Sequence, residues 1–108
     1  MDEREFMAAA DAELARIETA LEAASMSDAA DFDFETRPGG VIEIEFDNGS
    51  KIILNRHGAA REIWLAAKSG GYHFRPEGGK WLGTRDGEEL LAALSRTLSE
   101  QAGVRIEL

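Results

Sequence analysis

The chain has 108 residues, 44% of them apolar, and a formal charge of −9 at pH 7, a size that suits one globular domain covering residues 1–108 and burying roughly two-thirds of its unfolded surface. It contains no cysteine, which excludes disulfides, thiolate nucleophiles, zinc fingers and thiolate-ligated metal clusters. Any metal must be held by oxygen or imidazole.

The charge is unevenly spread. Residues 1–47 carry 14 acids and 3 bases, and residues 48–108 carry 7 acids and 9 bases. An acidic half repels nucleic acid and anionic lipid and attracts cations or a basic protein surface. The opening MDEREFMAAADAELARIETAL is acidic throughout and lacks the pattern of a secretory signal. No apolar run reaches the ~20 residues of a membrane span. A cytoplasmic setting is the expectation.

From Asp2 to about Ala24, Phe6, Ala10, Leu14, Ile17 and Leu21 recur at three- and four-residue spacing, which predicts an amphipathic helix. Asp11, Glu18 and Glu22 fall on a second stripe about a quarter turn away. Asp31-Phe32-Asp33-Phe34-Glu35 alternates, so a strand with its phenylalanines on one side is expected. Val41–Phe46 alternates again, and Asn48-Gly49 suggests a tight hairpin turn into a strand over Lys51–Arg56.

Further strands are expected at Glu62–Ala67, Tyr72–Phe74 and Lys80–Leu82. In the first of these, Ile63, Leu65 and Ala67 turn inward and Trp64 outward. Asp86 is positioned to cap a last helix with Glu89 at the capping-box position. Leu90, Leu91, Leu94 and Leu98 form that helix's apolar stripe, and Gly103 is its stop. The order is helix, about six strands, helix. It specifies an α+β, two-layer sandwich in which both helices pack on one face of an antiparallel sheet.

Phosphate-binding glycine loops, nucleophile elbows and paired-histidine zinc motifs are absent, so a pre-formed catalytic centre is not expected. What remains is a concentration of carboxylates: Asp11, Glu18, Glu22, Asp28, Asp31, Asp33, Glu43 and Glu45. Hard oxygen donors suit hard cations, with Fe²⁺, Fe³⁺, Mn²⁺, Mg²⁺ and Ca²⁺ all admissible. Trp64, on an open sheet face near Asn55, Arg56, Arg61 and His73, is a candidate partner anchor.

The stretch NGSKIILNRHGAAREIWLAAKSGGYHF resembles the signature region of the bacterial frataxin family. EFMAAADAELARIETALE and DGEELLAALSRTL resemble its first and last helices. The resemblance implies an α-β sandwich and weak binding of Fe²⁺ and Fe³⁺ along an acidic ridge. The matching positions are Glu18, Glu22, Asp31 and Asp33, with Asp28 in a longer loop and Asp11 on the same edge.

It also implies docking on the cysteine desulfurase of iron–sulfur cluster assembly through the ridge and the sheet around Asn55 and Trp64, with the scaffold protein as a further candidate partner; Arg56 and His73 are placed with them as partner-binding. The expected role is binding rather than catalysis, by a monomer that could oligomerise with iron. Ferroxidase or iron-storage activity through self-assembly, and haem or metal carriage through His57 or His73, are the alternatives. His57 and Ala59 replace the glutamine and proline usual in the family, and Thr19, Ala20, Ala23 and Ala24 thin the ridge.

Overall fold

A computed structural model describes residues 1–26 and 31–108. Among them, helix α1 (Glu3–Ser25) is followed by strands β1 (Phe32–Arg37), β2 (Val41–Phe46), β3 (Lys51–His57), β4 (Glu62–Ala67), β5 (Gly70–Glu77) and β6 (Lys80–Gly83), and by helix α2 (Leu90–Ala102). The strands form one sheet in the order β1-β2-β3-β4-β5-β6, antiparallel throughout. Chain neighbours are sheet neighbours, the outcome expected when short hairpins join successive strands.

Helix α1 starts where the sequence places it. The Asp2 carboxylate accepts a hydrogen bond from the Glu5 backbone N–H at 2.7 Å, and Glu3 and Glu5 in the first turn complement the positive end of the helix dipole. Phe6, Ala10, Leu14, Ile17 and Leu21 are all buried. They meet the inward residues of the sheet, among them Ile42, Ile44, Ile52, Leu54, Ile63, Leu65 and Phe74, in one core. The Phe6 ring packs edge-on against Trp81 with centroids 5.9 Å apart, a favoured geometry for aromatic pairs. The α2 stripe closes this core through Leu90, Leu94 and Leu98, so both helices cover one face and the other stays open.

Two local expectations need correction. Helix α2 begins at Leu90 with Glu89 as its cap, without a side-chain capping bond. Asp86 instead accepts from the Glu88 N–H at 3.0 Å inside the preceding turn. The cause is a short extension of the sheet: Leu82 bridges Glu89 and the Gly83 N–H donates to Glu88 O at 2.7 Å. Glu89 is thereby held extended and the helix is delayed. The β2–β3 connection spans residues 47–50 rather than two residues; Gly49 alone takes positive φ (87°), and the Asn48 side chain accepts from the Ser50 N–H.

A side chain from α2 locks the two central hairpins. Gln101 is buried; its Oε1 accepts from the Lys68 N–H at 2.9 Å, and its Nε2 donates to Ser50 Oγ and Lys51 O. Beyond Gly103, which takes positive φ (75°), the chain folds back along α2. The Ile106 N–H donates to Ser99 Oγ and the Leu108 N–H to Ser95 Oγ.

Candidate functional site: an acidic edge and an open sheet face

Glu18 and Glu22 lie on the exposed side of α1, and among the described residues neither takes part in an ion pair. Helix α1 packs beside the edge strand β1, which brings its carboxylates to the border that Asp31 and Asp33 occupy. Asp31 precedes β1 rather than belonging to it, with its carbonyl accepting from the Asp47 N–H. Asp33 points to the open face, because Phe32 and Phe34 take the inward positions. Asp28 falls outside the described residues.

The expectation of a single acidic border is met only in part. Glu18 and Glu22 belong to the helical layer, whereas Asp33, opposite Glu45, and Glu35, opposite Glu43, belong to the far side of the sheet. Strand periodicity enforces this split: successive side chains alternate faces. Glu43 is already compensated by Lys51 at 3.1 Å and Arg37 at 3.2 Å. The Lys51 hydrogen bond, helped by the Arg37 charge, holds its carboxyl below the usual range.

Asp11 is compensated too, by an ion pair with Arg56. Arg56 shares the inward parity of Ile52 and Leu54, so its side chain runs on the helical side of the sheet, away from Trp64. This corrects the expectation that Asn55 and Arg56 flank Trp64 together. The Arg56 stem crosses the β1–β2 turn at Gly40, where an added Cβ would lie 2.6 Å from it. The Arg56 N–H donates to Gly40 O at 3.0 Å. Among the described residues no three Asp, Glu or His side chains converge as a metal cage. The edge offers exposed, separate oxygen donors.

On the open face Trp64 stands between two imidazoles. Its ring is 4.0 Å from His57 at an interplanar angle of 13°, and 4.5 Å from His73 at 9°. The register explains the column. His73 is the direct cross-strand partner of Trp64 on β5. On β3, Asn55 is its partner and His57, two residues on, faces Glu62.

Beneath the column lies Glu62, only 5% exposed. It accepts from Trp64 Nε1 and Arg75 Nε, each at 2.8 Å, and stands 3.3 Å from His73 Nδ1. Burial would raise its pKa, but the hydrogen bonds from Trp64 and Arg75 and the adjacent positive charge outweigh burial and leave it below the usual value. Sequence reasoning placed Trp64 correctly and passed over Glu62 and Arg75. Glu62 was open to the same parity argument, lying two residues before Trp64 on one strand.

The molecule is an open-faced sandwich of two helices on a six-stranded antiparallel meander, with exposed carboxylates at its β1 edge and an aromatic column on the bare face. The chain belongs to the frataxin family: the frataxin-like domain matches residues 1–104. It is 56% identical over 108 residues to the iron–sulfur cluster assembly protein CyaY of Dechloromonas aromatica, covering 100% of this chain and 99% of that protein. The CyaY protein of Cupriavidus taiwanensis is 54% identical over 107 residues, covering 98% and 95%.

Among solved structures, frataxin from Psychromonas ingrahamii superposes with a TM-score of 0.86 at 31% identity, covering 99% of this chain and 97% of that one. Trimeric yeast frataxin, solved as a ferrous complex, gives 0.73 at 28% identity, covering 87% and 84%.

Proposed function

We propose that this chain is an iron-binding accessory protein of cytoplasmic iron–sulfur cluster assembly, which carries Fe²⁺ or Fe³⁺ loosely on its acidic edge and docks on cysteine desulfurase. The observation that carries the reading is the set Glu18, Glu22, Asp31 and Asp33, exposed at the α1–β1 border, in a chain whose relatives bear the assembly-protein name. Separate oxygen donors in water match hard cations and exchange them readily, because no rigid cage resists their loss. Such an edge also speeds encounter with a basic protein surface at low ionic strength. The Trp64 column supplies the second contact, an aromatic anchor held in one orientation by Glu62.

Fixed metal geometry and first-shell nitrogen ligands, which favour turnover, have no counterpart among the described edge residues, so binding rather than catalysis is the reading preferred. The test is to replace Glu18 and Glu22 with Gln and Asp31 and Asp33 with Asn, then compare Fe²⁺ titrations followed by NMR and desulfurase pull-down with the unaltered protein. Both interactions should weaken together. An unchanged iron titration and an unchanged pull-down would overturn the assignment.

A further inference from the structure

The outward side chains of β4, β5 and β6 include two acids, Glu62 and Glu77, and two bases, Arg75 and Lys80, which cancel. Other charged groups border this half. On the same face of β1–β3 stand Asp33, Glu35, Glu43 and Glu45 with Arg37 and Lys51, of which Glu43 is engaged by Lys51 and Arg37. Arg61 lies in the turn between β3 and β4, at positive φ (53°). Arg85, Asp86 and Glu88 line the cleft beside His73.

Carboxylates, guanidinium and ammonium groups keep their charge around neutrality, whereas imidazole in water titrates near about pH 6.5. The two histidines of the chain are both in the Trp64 column. Of the groups on and around this face, His73 on β5 and His57 on the neighbouring β3 are therefore the ones whose charge depends on pH near neutrality.

The column is also arranged to accept those charges. A cation over an indole face is attracted by the ring quadrupole, and each face of Trp64 carries one imidazole. His73 has Nδ1 3.3 Å from the Glu62 carboxylate, so a positive charge on its ring meets an opposite charge as well as the indole face. His57 differs: its Nδ1 accepts the Ala60 N–H at 3.2 Å, so a proton arriving at Nδ1 removes that bond. The residue after Ala60 is Arg61, whose backbone conformation is uncommon for a side-chain-bearing residue and whose N–H donates to Gly58 O. Protonating His57 thus adds a charge and also releases one of the two bonds that hold this turn.

We infer that His57 and His73, stacked on the two faces of Trp64, make docking on this face proton-dependent, by adding positive charge around the indole that takes an anionic peptide segment. The inference rests on the reading that the Trp64 face is a docking surface. Two unit charges about 8 Å from a bound carboxylate in water strengthen binding roughly sixfold at low salt.

The test uses the whole protein and a short polyglutamate peptide as probe, with binding followed by NMR at about pH 8 and about pH 5.5, on either side of the imidazole range. The same spectra report the Trp64 indole N–H and the Ala60 amide. Expected are a roughly sixfold gain in affinity on acidification and movement of both resonances as the imidazoles charge. The gain should be roughly halved in free-energy terms, to between twofold and threefold, in His57→Gln or His73→Gln and vanish in the double variant.

An equal pH response in the double variant, with its spectrum otherwise preserved, would overturn the inference, as would absence of any pH response in the unaltered protein. Failure of the docking reading is seen separately: Trp64→Ala would then pull down desulfurase as the unaltered protein does.

Discussion

Replacing Glu62 probes the link between fold and candidate docking face most directly. Its carboxylate, 5% exposed, receives the Trp64 indole N–H at 2.8 Å, a charge-assisted bond worth about 1.5 kcal/mol net. The Arg75 contact is equally short, but two-thirds of that arginine side chain is in water, which reduces the pair to about 0.5 kcal/mol. Glu62→Gln keeps an amide oxygen for Trp64 and loses only the charge, so its cost is about 1 kcal/mol. Glu62→Leu removes both bonds and leaves the indole N–H without its partner, for about 2–3 kcal/mol.

Urea unfolding at neutral pH measures both, and the Trp64 indole resonance should shift in both. The pH dependence has a definite sign. The folded pKa of Glu62 lies below its usual 4.5, so its contribution is complete above about pH 4.5 and is lost as pH falls through the folded value. A Glu62→Leu protein as stable as the unaltered one at neutral pH, with its Trp64 resonance unmoved, would refute the idea that Glu62 seats the column.

Two further perturbations test the supports of the site. Gly40→Ala forces a side chain into positive φ (76°) and against the Arg56 stem, and should cost about 1–3 kcal/mol. A double-mutant cycle between Asp11→Ala and Arg56→Ala should lose its coupling in the Gly40→Ala background. Gln101→Ala deletes three side-chain hydrogen bonds and strands the Lys68 N–H, for about 2–4 kcal/mol. Amide exchange should then quicken in both hairpin turns that Gln101 joins, and acceleration in neither would dismiss its bridging role.

Most of the architecture was legible because periodicity reports burial. The α1 stripe and the alternation in β2 and β4 left one consistent arrangement, helices on one side and Trp64 on the other. What escaped involved polar residues whose partners are distant in sequence. Arg56 was grouped with Asn55 by adjacency, although neighbours on a strand cannot share a face. Its partner Asp11 lies 45 residues away. Asp86 followed a sound capping pattern, but the bridge between Leu82 and Glu89 outweighed local preference, since extending the sheet satisfies two backbone groups at once. Glu62 is unusual for a carboxylate in being buried, and composition alone gives no sign of the two donors, Trp64 and Arg75, that make burial tolerable.

The division of the acids follows from the same alternation and has a chemical consequence. Of the α1 acids, Asp11 is consumed by Arg56, and on the open face Glu43 is consumed by Lys51 and Arg37. Among the described residues Glu18, Glu22, Asp31 and Asp33 near the α1–β1 border keep no ion pair, and neither does Glu45 on β2. On the proposed function, a cation at that border would meet Glu18 or Glu22 from the helical layer and Asp33 from the far side of the sheet, donors that a strand's thickness keeps from closing round one ion. Its coordination would then be completed by water, leaving the ion open to a partner's ligands. The separation of these donors is a property of the fold, enforced by the inward packing of Phe32 and Phe34, rather than a shortage of carboxylates.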